Sequence, residues 1–191
     1  IGEASYAMCQ LFLGPPVGAN DPCSPIDGGI DPSAVTYVTF TGTTPRAHAP
    51  TFTRMIEGFR FLPEYFPPAA QKALVGEILT ILETNPLYRG AMPRTGKPLS
   101  VRNTNLGPLG WVSDIKGYRY QPTHPETGKA WSAIPDVLMD LWRDVANYDA
   151  PPQACLVNWY KPGTKLGSHI DADEDARMAP VVSVSLGDDA L

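Results

Sequence analysis

The sequence predicts an α+β fold in which helices buttress a β sandwich or jelly roll. Two stretches, 68–84 and the segment after Pro135, carry apolar residues at three- and four-residue spacing, which indicates amphipathic helices. Elsewhere the apolar period is two. In the last strand Val182, Val184 and Leu186 alternate with serines, as in a half-buried antiparallel strand. Early helices followed by strands favour α+β over a regularly alternating parallel sheet.

The first fifty residues differ in composition from the rest. Pro and Gly supply about a quarter of them, which is typical of loops and linkers. We therefore predict an irregular Pro/Gly-rich segment at 1–50, with one strand within the run Val35–Phe40, and a compact domain at 51–191. No function is assigned to the first segment.

The predicted domain starts with aromatic residues around Phe59–Phe66, which form an entry strand and turn. Pro67 and Pro68 suit the start of a helix, and Asn85-Pro86 ends it. The second helix begins at Pro135. Four strands are predicted in addition, in chain order Leu99–Asn103, Gly117–Gln121, Ala154–Tyr160 and Val181–Leu186.

Charge is unevenly distributed along the chain. The net charge is −5, which by itself argues against a nucleic-acid binder. The segment Arg89–Lys129, however, holds seven basic residues and two acidic ones, and phosphate contacts need only a local basic patch. An ordinary solvated surface explains the same charges equally well.

Cysteine content and hydropathy indicate the cellular environment of the protein. Cys9, Cys23 and Cys155 form an odd set without a C-x-x-C pair, which predicts a reducing compartment, the cytoplasm. No apolar run approaches the ~20 residues of a membrane-spanning helix, and no signal peptide is visible. We expect a monomer that does not associate with membranes.

The pair His169 and Asp171 is the most informative chemical feature. Residues two apart on an extended strand point to the same face, so an imidazole and a carboxylate could bind one metal ion together. They would supply two members of the 2-His-1-carboxylate triad typical of Fe(II) oxygenases. Asn158 and Tyr160 have the same spacing. H-x-D alone is a weak signal, since a His beside an acidic loop is commonly a surface ion pair.

The order of motifs around this pair resembles a known family, the AlkB-type Fe(II)/2-oxoglutarate dioxygenases, which oxidatively remove alkyl groups from nucleobases. The resemblance runs from about Phe59 to Leu191 and is densest at 99–122 and 154–187. The matching motifs are Thr104-Asn105, Leu109-Gly110-Trp111, Gly117-Tyr118-Arg119-Tyr120, Ala154-Cys155-Leu156, Lys165-Leu166 and Val182 to Gly187.

The resemblance implies a double-stranded β-helix with buttressing helices, Fe(II) as cofactor, 2-oxoglutarate and O₂ as co-substrates, and alkylated DNA or RNA as partner. It implies that His169 and Asp171 are the catalytic iron ligands and that Asn158, Trp159 and Tyr160 contact 2-oxoglutarate. On the substrate side it places Trp111 against a flipped base, Tyr118, Arg119 and Tyr120 beside it, and Asp173 at the exocyclic edge of that base. Aromatic faces suit an extruded base, but Trp111 and the tyrosines could instead be core residues.

The resemblance also implies a second iron histidine and 2-oxoglutarate-binding arginines beyond Leu191. We therefore expect a jelly roll that is incomplete at its C-terminus, with unpaired edges, and a chain that is inactive alone. His48 and His124 are expected to be ordinary surface histidines. Two alternatives remain open: a related oxygenase acting on a protein or small molecule, and a non-catalytic nucleic-acid-binding module.

Overall fold

The computed structural model describes residues 59–161, Thr164 and 179–187, together with the backbone of residues 6–12 and 35–39. The helices are α1 (Pro68–Ile81) and α2 (Asp136–Val145). The strands are β1 (Tyr6–Phe12), β2 (Val35–Thr39), β3 (Phe59–Phe61), β4 (Arg102–Leu106), β5 (Gly110–Asp114), β6 (Gly117–Gln121), β7 (Ala154–Tyr160) and β8 (Val181–Gly187). The predicted α+β class is confirmed at this level.

Six strands form one sheet in the order β3-β2-β8-β1-β7-β4, and β5 and β6 form a separate antiparallel hairpin. Strand β1 is antiparallel to both β7 and β8, so that Tyr6 pairs with Tyr160 on one side and with Gly187 on the other. Strand β2 runs parallel to β8 and β3. The described sheet therefore has its edges at β3 and β4.

This topology departs from the predicted division of the chain at residue 51. Strands β1 and β2 come from the segment that we expected to be irregular, and both lie inside the sheet. Only the strand at Val35–Thr39 agrees with the run predicted there. The expected unpaired edges are also absent from β7 and β8, since β1 fills the space between them.

The two helices share one apolar core with a single face of the sheet. Leu74 and Ile78 of α1 and Leu138 and Trp142 of α2 are fully buried in it. The sheet contributes alternate residues to the same core: Cys155 and Val157 of β7 and Val182, Val184 and Leu186 of β8. Burial of each such aliphatic side chain stabilises the fold by about 1.5–3 kcal/mol. The opposite face of the sheet is consequently left for other contacts.

Within residues 59–187 most predicted elements agree with the structure, with one shifted strand and one omitted strand. The bounds of β6 and β7 are confirmed, while the first helix ends at Ile81, three residues before the predicted limit. The strand predicted at Leu99–Asn103 lies instead at Arg102–Leu106, and β5 was not predicted. Among the described residues, no helix has the length and apolarity that a membrane span requires.

Candidate functional site

The sheet face turned away from the helices carries a group of polar side chains. Asn158 and Tyr160 project from it because they alternate with the core residue Val157. Asn103 of β4 is the register partner of Asn158, and paired residues in an antiparallel ladder lie on the same face. Ser183 of β8 belongs to this face as well, since it and Leu156 both pair with Gln10. We call Asn103, Asn158, Tyr160 and Ser183 the polar face.

Three atoms of the polar face are buried without a hydrogen-bond partner among the described residues: Oδ1 of Asn103, Nδ2 of Asn158 and Oγ of Ser183. An unsatisfied buried polar group costs about 1–3 kcal/mol, and such groups are rare in native structures. Their occurrence together on one sheet face indicates a place built to receive a polar ligand. Tyr160 is also buried there.

Trp159 does not belong to the polar face. It alternates with Asn158 and Tyr160 along β7, and its register partner is Arg102. The expectation that Asn158, Trp159 and Tyr160 act together is therefore corrected: consecutive strand residues point to opposite sides. Trp159 instead lines a cleft with Arg102.

The β5–β6 hairpin presents aromatic side chains on one face. Trp111 and Tyr118 stack with ring centroids 5.6 Å apart and an interplanar angle of 19°. Tyr120 is the register partner of Trp111 and shares its side. Each of the three is partly exposed. This aromatic platform (Trp111, Tyr118 and Tyr120) can offer a flat apolar surface to a planar ligand.

Two neighbours fix the backbone that carries Trp111. The side-chain Oδ1 of Asn105 accepts a hydrogen bond from the Trp111 amide at 3.0 Å, and its Nδ2 donates to the Trp111 carbonyl at 2.9 Å. The Tyr88 hydroxyl donates to the same carbonyl at 2.9 Å. Burial raises the pKa of that hydroxyl strongly, which keeps it a donor. The position of the indole is thus set from outside its own hairpin.

Gly110 allows this close approach. A Cβ atom at this position would lie 2.5 Å from Cβ of Asn105 and 2.5 Å from Cε2 of Trp131. Both neighbours are buried and neither can withdraw without disturbing the Trp111 clamp or the core. Glycine is therefore required for steric reasons at the position before Trp111.

Arg119 lies apart from the tyrosines that flank it. Its register partner is Val112, not an aromatic residue, and its guanidinium donates to both carboxylate oxygens of Asp114 at 2.9 and 2.8 Å. The hydrogen bonds from Arg119 hold the pKa of Asp114 below its ordinary value, and Asp114 raises the pKa of Arg119. The expected grouping of Arg119 with Tyr118 and Tyr120 on one side is corrected by strand alternation.

His124 is not a surface residue, contrary to expectation. Only 1% of it is exposed. Its Nδ1 accepts from the amides of Glu126 and Thr127 at 3.1 and 3.2 Å, and Nε2 lies 2.8 Å from the Pro86 carbonyl oxygen. These bonds make it a structural link between the loop 123–129 and the segment that follows α1. His48 lies outside the described residues.

The predicted iron ligands His169 and Asp171, and Asp173, also lie outside the described residues. Within the described part of the chain, no three His, Cys, Asp or Glu side chains cluster so as to hold a metal ion. The structure does describe the polar face, on β4, β7 and β8, and the aromatic platform, on the β5–β6 hairpin.

Comparison with known proteins identifies the kind of site. A profile of the 2OG-Fe(II) oxygenase superfamily matches residues 58–191. The chain belongs to the 2OG-Fe(II) oxygenase superfamily. This membership implies Fe(II) and 2-oxoglutarate as cofactor and co-substrate, and it agrees with the polar face, where the unsatisfied amide of Asn158 is a suitable donor for a carboxylate.

Among members of this superfamily, the chain is similar to AlkB proteins. It is 45% identical over 139 residues to the alpha-ketoglutarate-dependent dioxygenase AlkB homolog of Caulobacter vibrioides, covering 72% of this chain and 62% of that protein. It is 40% identical over 122 residues to AlkB of Escherichia coli K12, covering 62% of this chain and 56% of that protein. The predicted AlkB-type resemblance is confirmed. The chain thus spans about three fifths of the length of these relatives.

A more distant relative is the tRNA demethylase abh1 of Schizosaccharomyces pombe, 30% identical over 101 residues, which cover 50% of this chain and 33% of that protein.

Sequence reasoning missed the buried polar residues Asn103, Asn105 and Ser183. A signal for two of them was present: Asn103 and Asn105 stand two residues apart, the same spacing that singled out Asn158 and Tyr160. Their partners across the sheet could not be inferred without the register.

Proposed function

We propose that this protein is an Fe(II)/2-oxoglutarate-dependent dioxygenase that removes alkyl groups from nitrogen atoms of nucleobases in DNA or RNA. Superfamily membership and 40–45% identity to AlkB proteins support this reaction. The observation that carries it in the structure is the pairing of an unsatisfied polar sheet face with a stacked aromatic platform on the neighbouring hairpin.

The polar face is the proposed binding site for 2-oxoglutarate. The Asn158 amide would donate to a carboxylate of the co-substrate, and the Tyr160 hydroxyl would contact it from the next position on the same face. We further propose that His169 and Asp171 bind Fe(II). Fe(II), 2-oxoglutarate and O₂ together supply the oxidation that hydroxylates the N-alkyl carbon, after which the N–C bond breaks and an aldehyde leaves.

The aromatic platform is the proposed receptor for the damaged base. A base in a duplex must leave its stack to be oxidised, and stacking on an aromatic side chain contributes about 1–3 kcal/mol per base. An alkylated base that carries positive charge gains cation–π attraction as well. Trp111 would contact the base face, with Tyr118 and Tyr120 beside it. Asp173 is proposed to accept a hydrogen bond from the exocyclic amine.

The proposal extends to the architecture, the oligomeric state and the location of the protein. The superfamily implies a jelly roll, and we propose that β4, β7 and β8 are strands of a double-stranded β-helix. The protein is proposed to act as a monomer in the cytoplasm.

A coupled assay tests the reaction. Full-length protein containing residues 1–191 is incubated with Fe(II), 2-oxoglutarate and an oligonucleotide bearing one N-methylated base, and mass spectrometry follows demethylation alongside formaldehyde and succinate. Demethylation with equal yields of formaldehyde and succinate is expected, and the His169→Ala and Asp171→Ala variants should abolish it. The same oligonucleotide without the methyl group is the control.

Other outcomes would contradict the proposal. Succinate formation stimulated by a protein or small molecule but never by methylated nucleic acid would indicate a related oxygenase. Tight oligonucleotide binding without any succinate formation would indicate a binding module.

A further inference from the structure

A second feature lies outside the polar face and the aromatic platform. It is an open cleft of about 340 Å³ where the ends of β4 and β7 meet the segment that follows α1. Three cations from separate parts of the chain line it: Arg89, Arg102 and Lys161. Trp159 adds aromatic surface, and the buried Tyr88 forms part of the wall. We call this the basic cleft.

The charges of the basic cleft are not neutralised within the described residues. Among the described residues that line it, Glu126 is the only acidic one. The ion pairs in the described part of the chain are Asp114 with Arg119 and Asp140 with Arg143, so none of the three cleft cations belongs to one. Arg102 donates one bond at 2.7 Å to the Leu87 carbonyl, which orients its guanidinium and leaves other donors of the group available. The cleft therefore attracts anions.

Hydrogen bonds with Thr164 fix the backbone of Lys161 at the rim of the cleft. The Thr164 hydroxyl accepts from the Lys161 amide at 3.1 Å and donates to the Lys161 carbonyl at 2.7 Å, and the Thr164 amide donates to the same carbonyl at 3.0 Å. Thr164 itself lines the cleft. Lys161 is thus held at the end of β7 and does not sit on a free strand end.

The basic cleft adjoins the aromatic platform through one short segment. Tyr88 lines the cleft, and its hydroxyl donates to the carbonyl of Trp111. The amide of Ala91 donates to the Ser113 carbonyl at 2.9 Å. Arg89 lies between these two contacts, so the segment that carries it runs along β5, the strand of the platform. A ligand on the platform could therefore extend into the cleft.

We propose that the basic cleft binds the phosphodiester backbone of the nucleic acid whose damaged base lies on the aromatic platform. This inference rests on the proposed function. A single phosphate ion would occupy only part of the cleft, whereas three cations spaced over three segments suit successive backbone phosphates. Contacts of this kind hold the strand without reading its sequence.

The test uses the double variant Arg89→Gln/Lys161→Gln in the full-length protein. Fluorescence anisotropy gives the Kd for methylated and unmethylated versions of one oligonucleotide over a series of salt concentrations. We expect the affinity at low salt to fall about tenfold for both versions, and the slope of log K against log salt to become shallower by about 1 for each lost cation. Succinate formation in the absence of nucleic acid should stay unchanged.

The matched control is Arg60→Gln/Lys72→Gln, which removes one arginine and one lysine from exposed positions on β3 and α1. Strand β3 lies at the opposite edge of the sheet from β4, so this control should leave affinity and salt slope nearly unchanged. Equal losses in both double variants would mean that only the net charge matters, and would overturn the proposal.

Two further results separate the possible failures. If Trp111→Ala weakens binding but the cleft variant does not, the basic cleft proposal is wrong and the proposed function stands. If neither variant weakens binding, the proposed nucleic-acid function is wrong, and the basic cleft proposal is wrong with it. Binding of inorganic phosphate or a mononucleotide to the cleft at micromolar concentration, lost in the cleft variant, would assign the site to a free phosphate ligand and overturn the proposal.

Discussion

The side chain of Asn105 binds both backbone hydrogen-bonding groups of Trp111, accepting at 3.0 Å and donating at 2.9 Å. It therefore acts as a neighbouring strand would, but through a single amide. Asn105 is fully buried, so water cannot replace it. The orientation of the aromatic platform consequently depends on a residue of the main sheet.

Replacement of Asn105 by Leu should destabilise the protein by about 1–3 kcal/mol, because the Trp111 amide loses its acceptor while Tyr88 still donates to the Trp111 carbonyl. Urea unfolding followed by tryptophan fluorescence measures the loss. Asn103→Leu is the matched control on the same strand, because Oδ1 of Asn103 has no hydrogen-bond partner among the described residues, and its cost should be small. Equal costs in the two variants would mean that the Asn105 clamp adds nothing.

Trp111→Ala should weaken binding of an N-methylated oligonucleotide by about 1–3 kcal/mol, the contribution of one stacked base. Anisotropy titration at fixed salt measures this change. Phe61→Ala removes another exposed aromatic side chain, 46% exposed on β3, and should leave the affinity unchanged. An undiminished affinity in Trp111→Ala would place the base elsewhere.

Gly110→Ala should destabilise the protein by about 1–3 kcal/mol, because the added methyl group overlaps Asn105 and Trp131. Gly76→Ala gives the opposite expectation. Nothing lies within 4 Å of a Cβ at Gly76, and alanine is favoured over glycine inside a helix by about 1 kcal/mol. Thermal unfolding should therefore show a lowered Tm for Gly110→Ala and a raised Tm for Gly76→Ala. A shift of both Tm values in the same direction would contradict the steric role of Gly110.

Asn158→Leu should abolish measurable 2-oxoglutarate binding with little or no loss of stability. Nδ2 of Asn158 is buried and unsatisfied, so its removal relieves an energetic cost to the folded state. The same substitution removes the proposed hydrogen-bond donor to 2-oxoglutarate. Calorimetric titration under nitrogen with Fe(II) present, together with urea unfolding, measures both quantities. Gln153→Leu, at an exposed position just before β7, is the control. Retained co-substrate affinity would disprove the role of Asn158.

The Asp114–Arg119 pair should make the β5–β6 hairpin sensitive to acid. The hydrogen bonds from Arg119 lower the pKa of Asp114, so the carboxylate stabilises the fold above its unfolded pKa of about 3.9 and this contribution is lost as the pH falls through the lower folded value. Near-ultraviolet circular dichroism from pH 6 to pH 2 reports on the aromatic platform. In Asp114→Asn the change in this signal that comes from protonation of Asp114 should be missing. An acid profile identical to that of the unaltered protein would refute the role of the Asp114–Arg119 pair.

The helices and the long strands could be predicted because their apolar residues face one core. Leu74 and Ile78 of α1, and Val182 and Val184 of β8, give clear periods of four and two. Strand β4 was displaced because its middle residues are Asn103, Thr104 and Asn105, which are polar yet buried. A strand that faces a binding site does not show the apolar alternation of a strand that faces only a core.

The residue types of the site could be predicted from the sequence better than the side of the strand on which each residue lies. Trp159 and Arg119 were grouped with their chain neighbours, although strand alternation places each on the other side. His124 looked like a loop residue between prolines, and only its three bonds to distant and local backbone explain its burial. Such bonds depend on how separate segments meet, which spacing alone does not reveal.

The central place of β1 has a consequence for biosynthesis. Its residue Tyr6 pairs with Tyr160 and with Gly187, so β1 can pair with neither neighbour until the residues up to Tyr160 have been synthesised. Pairing over such a distance is slow because a very large loop has to close. Strand β1 should thus need chaperone protection until then, and refolding from denaturant should be slower than for a helical protein of equal size.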